Sequence, residues 1–258
     1  MAEYYRNKVV LITGGSKGIG FACAKQFVAY GAKVIISSRE QANIDQALQE
    51  LPGASGFSAD VSDADQAAAL VAHVQQQFGV IDVLVNSAGA AKRTPVAELN
   101  PASWRAAMDA KYFTTINVLD PVVKLMAAAG RGVIVNIIGS GGRVASPTHL
   151  AGGSANAALM LATAGLGNAY ASSGIRVVGI NPGLTETGRV TSGMEAEARF
   201  LGITVDEALE KAVQKIPMGR LAKPEEVADL VLFLASDKAR YITGTTITMD
   251  GAQSPVIL

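Results

Sequence analysis

The 258-residue chain is short of the residues that most often mark a site by themselves: one cysteine, two histidines, one tryptophan, and aromatics at 5%. A lone cysteine, Cys23, cannot close an internal disulfide, which predicts a reducing compartment and a cytoplasmic location. Two histidines and one cysteine are too few for a familiar structural zinc site, so no metal is expected. Neither sign of charge is in surplus, because 22 basic and 22 acidic side chains leave a formal net charge of zero. Nucleic acid or an anionic membrane surface would need a basic excess, so neither is an expected partner. No apolar run approaches the roughly 20 residues needed to span a bilayer. The opening segment, MAEYYRNKVVLITGG, enters a strand-like run within a few residues, which leaves no room for a signal peptide. Pro/Ser-rich linkers, charge blocks and internal repeats are also missing.

What the chain does have is a 49% hydrophobic content with 17% charged residues, the balance of a folded protein. Near-continuous apolar runs at 8–13, 33–38, 81–86, 132–138 and 176–180 read as strands buried on both faces. Shorter runs at 56–61 and 245–249 bring the total to about seven. Between them lie Ala-rich helical stretches with start signals: Ser62 with Asp65, Asn100-Pro101, and Lys223-Pro224 followed by two glutamates. The segment from Asn100 to about Ala129 reads as one long helix, which Pro121 is expected to bend. Repeated β-α alternation predicts one α/β domain over residues 1–258, a doubly wound parallel sheet with helices on both faces. The polar stretch 184–216 follows a strand end, where such sheets bind ligands, and is expected to be a substrate lid.

The run TGGSKGIG follows the first strand and opens a helix. Gly14, Gly18 and Gly20 would let the backbone of Ser16, Lys17 and Ile19 approach a pyrophosphate at the helix N-terminus. At the end of the second strand an acidic residue would accept bonds from a ribose 2′-hydroxyl and repel a 2′-phosphate. This chain has Ser37, Ser38 and Arg39 instead, with Lys17 in the glycine turn. Two cations and a hydroxyl suit a 2′-phosphate, so NADP(H) is expected in preference to NAD(H).

Further motifs follow in order along nearly the whole chain: Asp60-Val61 after the third strand; Asn86-Ser87-Ala88-Gly89 after the fourth; Asn181-Pro182-Gly183-Leu184-Thr185-Glu186-Thr187; and a tail from Met218-Gly219-Arg220 to Asp250-Gly251. Together they resemble the short-chain dehydrogenase/reductase family. The resemblance implies a nicotinamide dinucleotide held by the glycine turn, by Asp60 and Val61 at the adenine, by Asn86, Ala88 and Gly89, and by Pro182, Gly183, Thr185 and Thr187 on the nicotinamide side. It also implies a homo-oligomer, a tetramer or dimer, acting on a small molecule.

The family transfers hydride with a Ser that orients the substrate oxygen, a Tyr that exchanges its proton, a Lys that acidifies the Tyr, and usually an Asn. Ser140, closing VIVNIIGS, matches the serine. In the register set by SANAALM, the Tyr position is Gly153 and the Lys position Ala157; the Asn position, seven residues after Trp104, is Lys111. The resemblance therefore implies a whole cofactor cradle beside an altered reaction centre. Loss of a phenol and an amine predicts a void, a roomier floor able to take a bulky apolar substrate. Lys111 is expected to reach into the space at Ala157, where a desolvated ammonium with a lowered pKa could serve as acid, base or nucleophile. His149, four residues before Gly153, is the other candidate for proton exchange. Arg143 is a candidate to meet an anionic substrate, while His73 and Cys23 read as packing residues. The function expected is an NADP(H)-dependent oxidoreductase of carbonyls or alcohols. The alternatives are a non-redox lyase or hydratase on the same scaffold, or a catalytically silent nucleotide-binding subunit or sensor.

Overall fold

Each apolar run becomes a strand because a parallel strand covered on both faces must be apolar at every position. The computed structural model describes residues 2–256. The strands are β1 (Val9–Thr13), β2 (Lys33–Ser38), β3 (Ser55–Ser58), β4 (Val83–Asn86), β5 (Gly132–Ile137), β6 (Ile175–Pro182) and β7 (Thr246–Met249). All pair in parallel, in the order β3-β2-β1-β4-β5-β6-β7. The order reverses between β1 and β4, the place where such sheets open a crevice at their carboxyl edge.

The helices are α1 (Ala2–Tyr5), α2 (Gly18–Ala29), α3 (Gln41–Leu48), α4 (Ala64–Phe78), α5 (Pro101–Met108), α6 (Thr114–Ala129), α7 (Leu150–Tyr170), α8 (Gly188–Leu201), α9 (Val205–Gln214) and α10 (Pro224–Ala235). Alternation along each strand sends successive residues to opposite faces. Val10 and Ile12 thus join Phe27 of α2, Ile44 of α3 and Val231 of α10 in one core. Val9 and Leu11 join Leu70 of α4 and Val118 and Val122 of α6 in the other.

Two local expectations shift and one holds. The cap of α4 is Asp63, accepting from the Gln66 N–H at 2.9 Å, rather than Ser62. Asn100 does cap α5, accepting from the Ser103 N–H at 3.0 Å, with Pro101 in the first turn. The long helix, however, is interrupted not at Pro121, which lies within α6, but by a π turn over Asp109–Phe113. Stretch 184–216 forms α8 and α9, which share a small core of Met194, Ala198 and Ala208. A capping box between Thr204 and Glu207 starts α9.

Candidate active site

The turn after β1 is closed by contacts that only glycine permits. A Cβ on Gly20 would lie 2.3 Å from the Gly14 carbonyl oxygen, and one on Gly14 would lie 2.9 Å from the Ala88 backbone. Gly18 adopts φ +55°, a left-handed conformation that a side chain disfavours. Helix α2 begins here, with Lys17 at its N-cap and no side-chain cap bond. The first-turn N–H groups of Gly18, Ile19 and Gly20, beside Ser16, therefore lack helical partners and form a cradle for an anion. Thr187 stands over this turn: a Cβ on Gly18 would be 3.2 Å from its Cγ2. Behind Thr187, Thr185 is buried and donates to the Gly183 carbonyl at 3.2 Å, just beyond Pro182 at the end of β6.

At the far end of the crevice Lys17 and Arg39 are both exposed. Hydrogen bonds from Ser62, aided by the nearby Arg39 charge, hold the Asp60 carboxyl below its usual range. Val61 is buried, and its carbonyl accepts from Asn117 at 3.1 Å. The Asn86 side chain turns inward: it donates to Asn136 Oδ1 at 2.9 Å, and Asn136 donates to Thr163 Oγ1 at 3.0 Å. The chain then meets the crevice through backbone, with the N–H groups of Ser87 and Ala88 both 3.2 Å from Thr13 Oγ1. Gly89, at φ +101°, is pressed so close to the π turn that a Cβ would lie 2.3 Å from the Ala110 carbonyl. These contacts place the glycine turn, the end of β4 and Lys111 along one cleft. The glycine-only approaches and the open end of α2 fit a dinucleotide pyrophosphate.

Lys111 is buried within the π turn, and its Nζ donates to the Ile138 carbonyl at 2.8 Å, two residues before Ser140. Loss of hydration, reinforced by the Arg189 charge, lowers its pKa to about 7. This corrects the expectation that Lys111 enters the space at Ala157. Ala157 itself is exposed, and at Gly153 no space is left. A Cβ on Gly153 would lie 2.6 Å from the Gly141 carbonyl, and one on Gly142 would lie 2.9 Å from the Ala157 backbone nitrogen. The turn Ser140–Gly142 has settled onto α7, so Gly153 meets backbone rather than a void. These contacts lend no support to a roomier floor for a bulky apolar substrate.

His149 sits at the N-cap of α7 with its ring against Gly141 and Gly152, and its buried Nδ1 has no hydrogen-bond partner among the described residues. Burial, followed by the charges of Arg93 and Lys111, depresses its pKa to about 4, which keeps the imidazole neutral near pH 7. Arg143 is taken up by the sheet, donating to Thr248 Oγ1 at 2.9 Å and to the Thr246 carbonyl at 3.0 Å; it does not offer itself to a substrate. His73 of α4 packs its ring, tilted, against Phe57 of β3, with centroids 4.8 Å apart, and Cys23 is buried with its thiol pushed up to about 12 by desolvation.

The sequence alone did not single out Arg93, Thr148, Arg189 or Glu197. Thr148 is fully buried: its Oγ1 donates to Glu197 of α8 at 2.8 Å and its carbonyl accepts from the Thr94 N–H at 2.9 Å. Arg189 donates to the Gly89 carbonyl at 2.8 Å. The available signal was positional, since these residues follow the carboxyl ends of β4, β5 and β6, where crevice groups gather.

A family model described as "Enoyl-(Acyl carrier protein) reductase" matches residues 14–252. A 3alpha-hydroxysteroid dehydrogenase of Mediterraneibacter gnavus is 33% identical over 253 residues, covering 96% of this chain and 97% of the relative. A 3-oxoacyl-(acyl-carrier-protein) reductase of Thermotoga maritima is 35% identical over 248 residues, covering 95% and 96%. Among solved structures, an actinorhodin polyketide ketoreductase with NADPH superposes with a TM-score of 0.92 at 28% identity, covering 98% of each chain.

Proposed function

Because the chain belongs to the short-chain dehydrogenase/reductase family of oxidoreductases, we propose that it is an NADP(H)-dependent enzyme interconverting a ketone or aldehyde and its alcohol through an atypical reaction centre. The observation that carries this reading is the continuity of the glycine turn, Gly89, Lys111 and Ser140 along one cleft. When bound, the nicotinamide supplies or takes up hydride. The first-turn N–H groups of α2 would hold its pyrophosphate, Ala88 and Gly89 would present backbone to it, and Pro182, Gly183, Thr185 and Thr187 would close over it. Lys17 and Arg39 would favour a 2′-phosphate.

The chain's own groups handle the substrate oxygen. Ser140 would donate a hydrogen bond to it. Gly153 and Ala157 offer neither a phenol nor an amine, so the proton is assigned to Lys111. One ammonium proton goes to the Ile138 carbonyl; the other two have no partner among the described residues. With its pKa near 7 the group is poised to give a proton during reduction and accept one during oxidation. His149, neutral, is placed to accept a hydrogen bond rather than to act as an acid. Helices α8 and α9 would serve as the lid. Trp104 and Phe113, half exposed beside the groove that Met108 and Ala151 also line, favour a homo-oligomer. Among the described residues no helix is long and apolar enough to cross a membrane, and we assign the protein to the cytoplasm.

The test is to titrate NADP(H) and NAD(H), then follow absorbance in the nicotinamide band with a panel of ketones, aldehydes and alcohols. Turnover abolished by both Lys111→Met and Ser140→Ala, with dinucleotide affinity kept, is expected. Dinucleotide binding without turnover on any substrate would favour the silent subunit instead.

A further inference from the structure

Three cations converge on the substrate end of the cleft from separate elements: Arg93 from the loop after β4, Lys111 from the π turn and Arg189 from α8. None of them makes an ion pair within 4.0 Å among the described residues. The carboxylate that Arg93 feels is Glu197, which already accepts from Thr148 at 2.8 Å. Arg93 reaches only the Thr148 hydroxyl, at 3.5 Å, and its stem lies on Gly193 of α8, where a Cβ would be 3.3 Å from its Cδ and Nε. Arg189 gives one bond to a neutral carbonyl. A guanidinium has five donors in a planar fork that matches a carboxylate or phosphate. Arg93 is half-buried, and burial pulls its guanidinium below its ordinary range even with the Glu197 charge nearby, whereas Arg189 is exposed.

The two arginines differ in what they face. Arg189 is two residues beyond Thr187, which stands over the glycine turn, so it borders the expected dinucleotide as well. The contacts of Arg93 are with Thr148, Gly193 and the neighbourhood of His149 and Glu197, on the substrate side. We propose that the substrate carries an anionic group, a carboxylate or a phosphate, received by Arg93 with Arg189 beside it. The carbonyl in that substrate rests on the oxidoreductase reading; the anion does not.

Calorimetric titration, with and without saturating NADP(H), tests this using 4-oxopentanoate, its methyl ester and inorganic phosphate. A charge-assisted contact predicts that the acid, the phosphate or both bind at least about tenfold tighter than the ester. Arg93→Gln should erase that difference and leave dinucleotide affinity unchanged, while Arg93→Lys should keep part of it. Whichever anion binds names the source. Equal binding of acid and ester without phosphate binding, or no anion binding at millimolar concentration, overturns the proposal. So does an Arg93→Gln variant that folds normally by circular dichroism and keeps the preference, or one that loses dinucleotide instead of the anions. Anion binding with no turnover of any ketone, aldehyde or alcohol in the panel would remove the oxidoreductase reading and leave this inference standing.

Discussion

Replacing Lys111 by methionine separates charge from bulk at the centre of the cleft, since the two side chains share an unbranched stem. In the folded protein burial lowers the pKa of the ammonium from its ordinary 10.5 to about 7. That gap corresponds to about 5 kcal/mol of unfavourable charge burial, at about 1.36 kcal/mol per unit of pKa. The group is charged in both states below pH 7, so the whole penalty is present there. Between about 7 and 10.5 the unfolded chain holds a proton that the folded one has released, so wild-type stability rises with pH. The slope contributed by Lys111 is about 1.4 kcal/mol per pH unit in that window. The variant has no such group. Urea unfolding followed by far-UV circular dichroism at fixed protein concentration, from pH 6 to 9.5, should show wild type gaining on Lys111→Met along that slope above about pH 7. In the same series, reduction by wild type should decline as pH rises through about 7, as the acid is deprotonated. Parallel stability curves would show that the ammonium is not forced toward neutrality by its site, and its assignment as proton donor would fall with them.

Gly153→Tyr should not restore activity; its Cβ would collide with the Gly141 carbonyl, and a loss of about 1–3 kcal/mol in stability is expected from urea unfolding. Arg39→Ala should weaken NADP(H) about tenfold or more while leaving NAD(H) affinity unchanged, measured by fluorescence titration; equal weakening of both would contradict the 2′-phosphate site. Thr148→Val leaves Glu197 without its buried donor, and should cost about 1–3 kcal/mol and raise the proteolysis rate at α8.

The strands were legible because burial on both faces forces a run of apolar residues, and β1, β2 and β5 fall within a residue of their expected bounds. The run at 56–61 was less so: β3 ends at Ser58, and Ala59 and Val61 are buried in the loop beyond it. The cofactor end was readable because glycine there answers to local backbone geometry. The reaction centre was not. Nothing in the composition of 109–113 distinguishes a π turn from an α turn, and the descent of Gly141 and Gly142 onto α7 depends on elements far apart in sequence. A vacancy was therefore expected where the main chain itself had moved in. The same limit hid Arg93 and Arg189, whose significance lies in guanidinium donors left without a close ion pair among the described residues, a property of three-dimensional surroundings.

The π turn at Asp109–Phe113 adds one residue to a turn of an otherwise continuous α-helical rod. Each residue advances a helix by about 100°, so this insertion resets the azimuth of everything after it. Upstream, Trp104 is free to look outward; downstream, Val118 and Val122 look into the core; Lys111 sits at the joint. Shortening that joint by one position would swing the ammonium away from Ile138 or drag the downstream hydrophobic stripe off its floor. Deletions there should prove far less forgiving than point substitutions.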